Sequence, residues 1–293
     1  MGTRNPSARD RGPDWWPLGH VAPAALVDER LQLHHAAQLA NAPAIAFLPP
    51  QPDDSHTNFE WSDGAGAMLS RAVPLPDGGS CRCGVRAAEL ELIAVDERDR
   101  TTASFTLHGR TVADAADWLG GALAAHGLDA KSLRFAKHYK IPPHRVATGA
   151  PFDASDTEGF ASLQRWFHNA ALVLGRYAET TSGAASPRCW PHHFDIATLT
   201  ARTIKDRACS VGVGLSPGDD SYPEPYFYVG PYPHPDPARL PPLTDGRWHS
   251  AGWIGAVLDG TEIAETPIDE QHALVTRFIE TTTVAAWKVL EAE

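Results

Sequence analysis

The most constraining feature of this chain is the order of its hydrophobic patterns. A helical stretch, about three strand-like runs and another helical stretch occur, and the same succession then recurs. The first helical pattern covers residues 25–42, with Leu26, Leu33, Ala36, Ala37 and Ala40 on one face. Pro43 and the Pro49-Pro50 pair are expected to end it. A second helix begins at Thr111, whose T-x-x-D spacing to Asp114 forms a capping box, and stops at Gly127. A third covers residues 156–179, with Phe160, Leu163, Phe167, Ala170, Ala171 and Leu174 in one stripe. The last starts near Pro267, with Thr266 as N-cap and Asp269 completing T-x-x-D. Between them, residues 56–61 with 67–73, then 83–95 and 101–108, read as strands in the first half. Residues 189–203, 209–215, 226–229 and 253–263 do so in the second.

This order predicts one α+β domain over residues 1–293, made of two α-β-β-β-α pseudo-repeats. The parts are a leader (1–24), a first half (25–128), a crossover rich in Pro, Lys and His (129–155) and a second half (156–293). Hairpin-length connections favour antiparallel strands, with the helices on one side. The first strands of the halves share a texture, H-x-N-F-E-W at 56–61 and H-H-F-D-I at 192–196, and are expected to face each other across a pseudo-twofold.

Charge and cysteine content narrow the partners. With 25 Lys plus Arg against 36 Asp plus Glu, the net charge is −11, which argues against nucleic acid as a partner. No window approaches the ~18 apolar residues of a spanning helix, so no membrane partner is expected. Cys81, Cys83, Cys189 and Cys209 include no C-x-x-C pair and fit a reducing cytoplasm. The Arg- and Pro-rich leader lacks the apolar core of a signal peptide, and Trp15 and Trp16 are expected to pack it onto the body.

Three polar stretches offer chemistry: DDSHTNFE (53–60), CWPHHFD (189–195) and SPGDDSYPEP (216–225). On an extended strand, His193 and Asp195 would share one face, and His192 and Phe194 the other. His34 and Gln38 lie one helical turn apart. Tyr222, Tyr226, Tyr228 and Tyr232 are candidates to line a pocket, with Glu224 as acid or base; the alternative is a proline-stiffened hairpin whose tyrosines cover the sheet. Histidines and carboxylates are also ligands for divalent metals. A metal would bring His56 or His34 to His193 and Asp195, but the spacing is not diagnostic and the metal-free reading is preferred. No nucleophile elbow, Walker A loop, dinucleotide fingerprint or H-E-x-x-H motif occurs, and GVGLSPGDD lacks the lysine of a phosphate cradle.

The motifs L-H-H-A-A-Q, with His34 and Gln38, and C-W-P-H-H-F-D-I-A, with Trp190, Phe194 and Asp195, are joined by GVGLSPGD and FYVGPYPHP. In this order they resemble a bacterial family of unknown function that reads L-H-L-W-T-Q, W-G-S-F-D-L-A, S-A-G-F-W-P-G and F-Y-S-Y-A-Y-P-E-P. The chain is similar to it as a divergent relative, because the first His and the tryptophans of the family's N-H-W-W-H, whose second His aligns with His56, are missing. The resemblance implies a fold and a polar site at His34, Gln38, His56, Trp190 and Asp195, and it implies no activity.

The resulting expectation is a cytoplasmic small-molecule-binding enzyme with a pocket between the halves, lined by His34, Gln38, His56, Trp190, His193, Asp195 and Tyr228. The alternatives are a binding or scaffolding protein in which these groups form a buried network, and a metal-dependent hydrolase or oxygenase. No cofactor and no oligomeric state is legible.

Overall fold

The computed structural model describes residues 15–135 and 138–292. Helix α1 (Val27–Phe47) leads into β1 (Glu60–Ser62), β2 (Ala67–Leu69), β3 (Val73–Pro74), β4 (Ser80–Arg86), β5 (Glu91–Val95), β6 (Thr101–Thr106) and α2 (Val112–Ala124). The second half runs α3 (Thr157–Thr180), β7 (Arg188–Trp190), β8 (Asp195–Ile204), β9 (Arg207–Ser216), β10 (Tyr226–Tyr232), β11 (Arg247–His249), β12 (Gly255–Asp259), α4 (Gly260–Glu265) and α5 (Ile268–Ala292). Every pairing between these strands is antiparallel. The strand orders are β1-β2-β4-β5-β6, with β3 paired to β4, and β11-β12-β10-β9-β8-β7. The protein is α+β, as the hydrophobic patterning predicts. A shared order of elements does not by itself establish duplication.

The two sheets meet edge to edge. Phe59 N–H donates to the Cys189 carbonyl at 2.8 Å and Cys189 N–H to the Phe59 carbonyl at 2.9 Å, so the chain just before β1 pairs with β7. One hydrophobic core spans this seam. Leu33 of α1, Leu92 of β5, Phe167 of α3, Val213 of β9, Phe227 of β10 and Phe278 of α5 belong to the same buried cluster. Alternation explains which side is covered: Val85 and Leu92, or Val213 and Phe227, point at the helices, while Gly212, Gly214 and Tyr228 point the other way. Trp15 and Trp16 are fastened to this body. The Trp16 ring stacks on His168 at 3.9 Å, its backbone exchanges hydrogen bonds with Asn169, and the Trp15 indole donates to Gln271 Oε1 at 3.2 Å.

Several local readings need correction. Residues 83–95 are not one strand but two, β4 and β5, joined by a turn at residues 87–90. Thr266 donates its hydroxyl to the Glu262 carbonyl at 2.9 Å rather than capping α5. Helix α1 passes through Pro43 and ends at Phe47. The missing N–H forfeits only the bond to the Leu39 carbonyl near the C-terminal end, and burial of Ala40, Ala42 and Ala44 outweighs it. Residues 189–203 are not one strand, because residues 191–194 form a turn between β7 and β8. Residues 253–263 divide into strand β12 and helix α4. The capping box at Thr111 and Asp114 is present, and Asp156 caps α3 through the Gly159 N–H. Among the described residues no helix is long and apolar enough to cross a membrane.

Candidate functional site

Pro191 opens the tight link between β7 and β8, and the Phe194 N–H closes it on the Trp190 carbonyl at 2.6 Å. Phe194 takes a left-handed conformation, φ 60°, which disfavours a bulky side chain. Its surroundings compel it: the ring is buried, stacked on His34 at 4.8 Å and tilted against Phe167 at 5.2 Å. His34 Nε2, at 2.8 Å, and Gln38 Nε2, at 2.7 Å, both hold the Pro191 carbonyl, and Tyr139 donates its hydroxyl to Gln38 Oε1 at 2.9 Å. These two helix residues therefore clamp the turn. Replacing His34 by Phe or Gln38 by Met is expected to cost about 1 kcal/mol singly, because one donor still serves the carbonyl. Together they should cost more than the sum, and a urea-denaturation double-mutant cycle measures the excess.

On the sheet face turned away from the helices, the clamped turn borders a cavity of about 640 Å³ at the seam. Asp53, Ser55, Asn58 and Arg71 reach it from the first half; Arg188, Trp190, His192, His193, Asp195 and Tyr228 reach it from the second. Ala197, Leu199 and Gly212 also line it. Tyr228 donates its hydroxyl to Asp195 Oδ2 at 2.5 Å. This contact depends on Gly214, the cross-strand partner of Tyr228, because a Cβ there would lie 2.6 Å from the tyrosine oxygen. Glycine in a strand marks such close approaches, and the alternating Gly212 and Gly214 in GVGLS carried that signal.

Asp195 is half-buried, but its Oδ1 is sealed from solvent and has no hydrogen-bond partner. Burial raises its pKa above the ordinary carboxylate value, opposed by the Tyr228 hydrogen bond and by His193. Burial likewise drives the Tyr228 hydroxyl upward, and it lowers His192, favouring the neutral imidazole. Because Asp195 holds its proton more tightly when folded than unfolded, its contribution to stability is full below the ordinary value of 3.8 and is lost as pH rises through the raised value. Asp195→Asn should therefore gain stability relative to wild type as pH rises, read by denaturant unfolding from about pH 4 to about pH 8.

A smaller cavity of about 290 Å³ shares His192 and His193 and is lined also by Arg30, His34, Lys140, Asp219 and Asp220. Arg30 is 8% exposed, and its Nε lacks a partner. Asp219 is occupied by Tyr226 Oη at 2.6 Å and by the N–H groups of Ser221 and Tyr222. Arg30, His34 and Gln38 recur every four residues as a polar stripe, and Arg30, Asn58, Arg71 and Lys140 carry no local sequence pattern that marks them as site residues.

Of the expected pocket, Trp190, His193, Asp195 and Tyr228 line the seam cavity, while His34 lines the smaller one. Gln38 supports the turn and lines neither of these two cavities. His56 stands apart in a 3-10 turn, its Nδ1 accepting the Gln51 N–H at 3.1 Å. Its neighbours Asp53, Ser55 and Asn58 line the seam cavity with His193 and Asp195, but His56 itself is not in that lining. Nor do His193 and Asp195 alternate along one strand as expected, since His193 belongs to the turn. Among the described residues, no group of three or more His, Cys, Asp or Glu is placed to hold a metal ion. Tyr222 bonds His249, Tyr232 is 61% exposed, and Glu224 accepts from the N–H and hydroxyl of Thr261 at the start of α4, so of that segment only Tyr228 reaches the seam cavity. All four cysteines are buried free thiols, and burial raises the Cys189 pKa well above its usual range. No family model, curated protein or solved structure matches this chain.

Proposed function

We propose that the protein binds a small organic acid bearing hydroxyl or amino groups in the seam cavity, with Asp195 as the group able to hold or give a proton there. One observation carries this reading: Asn58, His192 and Asp195 line a single cavity, and each carries a buried atom, Oδ1, Nδ1 and Oδ1 respectively, with no hydrogen-bond partner. Buried polar atoms are normally matched, so three unmatched ones beside one void point to groups that a ligand supplies. Arg71 lines the same cavity and makes no ion pair with a described residue, which suits an anionic substituent. Trp190 and Tyr228 add aromatic surface.

An acid–base role follows from the environment of Asp195. A carboxyl whose pKa is raised by burial can remain protonated where an exposed one is ionised, and His193 is close enough to influence it. The competing reading, a buried network without chemistry, is supported at His34 and Gln38, whose hydrogen bonds are spent on the turn. The two readings therefore apply to different residues. A thermal-shift screen of hydroxy acids, sugar acids and amino acids tests the proposal. At least one class should stabilise wild type, with the shift abolished in Arg71→Ala and Asp195→Asn. A panel with no stabilising member, or stabilisation that survives both substitutions, would overturn it.

A further inference from the structure

Away from the seam, helices α3 and α5 lie on the second sheet, α3 against β8 and β9 and α5 against β9, β10 and β12. A cavity of about 470 Å³ opens between the two helices, within the ~300–1,000 Å³ range of small-ligand pockets. Three residues of its lining each carry a buried donor with no partner: Tyr177 Oη, Thr283 Oγ1 and Trp287 Nε1. These residues are 8%, 7% and 5% exposed. A single unmatched donor in a folded interior is uncommon, and three on residues that line one cavity require an explanation.

The helical period puts them there. Val173 and Tyr177 are one turn apart on α3, and Thr276, Thr283 and Trp287 follow on α5 at intervals of seven and four. Apolar surface from Val173, Ile279 and the Trp287 ring is interleaved with these donors. At the mouth, the Arg202 guanidinium lies over the Trp287 ring at 4.3 Å and has no acidic partner among the described residues. Arg176, by contrast, is taken by Glu179 at 3.3 Å. Glu280, also in the lining, disfavours a second negative charge.

The geometry points to a second ligand site, independent of the seam cavity, for a monocarboxylate with an apolar chain. The chain lies against Val173, Ile279 and Trp287, and the carboxylate pairs with Arg202. The guanidinium, already oriented by the indole, offers a fixed fork to a planar anion.

Sodium decanoate is the probe, titrated into the full-length protein by calorimetry and by NMR of the Trp287 indole N–H, assigned through its loss in Trp287→Phe. Decanoate should bind saturably and shift that resonance. Arg202→Gln should weaken binding about tenfold or more. Val284→Trp, at a cavity-lining position that is 53% exposed and tolerant of change, should block entry. Decyltrimethylammonium, with the same chain and the opposite charge, should not bind. Absence of saturable binding, equal binding of the cation, or affinity unchanged in both Arg202→Gln and Val284→Trp would overturn the assignment.

Discussion

Gly214→Val is expected to lower folding stability by about 3 kcal/mol or more. An added Cβ would lie 2.6 Å from the Tyr228 oxygen, 2.7 Å from the ring carbon bearing it and 2.8 Å from the Ile196 carbonyl. The ring can swing away only by abandoning Asp195, and the carbonyl belongs to the β8 backbone and cannot yield without disturbing the sheet. Two penalties therefore add, overpacking and loss of the hydrogen bond to a carboxyl that keeps another unmatched oxygen. Gly230 supplies the control, because a Cβ there meets nothing within 4 Å. Gly230→Val should leave the urea midpoint near that of wild type, and Tyr228→Phe should fall between the two. A Gly214→Val protein as stable as Gly230→Val would mean that Tyr228 does not cross the strand at this point.

Phe59→Ala should cost about 3–5 kcal/mol, the range for removing a fully buried aromatic ring. Its side chain is 0% exposed within the common core, and its backbone carries both bonds of the bridge to Cys189. Because that core runs through both halves, the loss should appear as one shifted, cooperative transition monitored by far-ultraviolet circular dichroism and tryptophan fluorescence together. Separated transitions would show that the halves are held by less than a shared core. Trp61→Ala, only two residues away but half-buried, should be clearly milder.

Much of the fold is legible because it rests on local periodicity. The stripe Phe160, Leu163, Phe167, Ala170 and Leu174 can bury one face only as a helix, and Asp156 and Thr111 mark their helix starts by ordinary capping chemistry. Short connections between strands made antiparallel pairing the economical choice. The site was only partly readable. Trp190, His193, Asp195 and Tyr228 stood out because polar and aromatic residues cluster around CWPHHFD and PYFYVG. Asn58 and Arg71 did not, since nothing in a strand-like run tells which residue will face a void formed with a segment more than a hundred positions later.

The amino-acid sequence alone determines the helices, the antiparallel strands and the polarity of the CWPHHFD segment, because hydrophobic period, caps and turn residues act over a few neighbours. Only the tertiary structure decides what those residues do. The His34 and Gln38 donors turn residues 191–194 away from the extended form that alternation suggests, and stacking on His34 and Phe167 holds Phe194 in a conformation it would not choose alone. The same turn takes His193 out of the strand that carries Asp195, although both line the seam cavity, and His56 is not in that lining. Burial, a property of the assembled seam, leaves Asp195, His192 and Asn58 with unmatched atoms, and it raises the proton affinity of Asp195 where solvent would have kept it an ordinary surface acid.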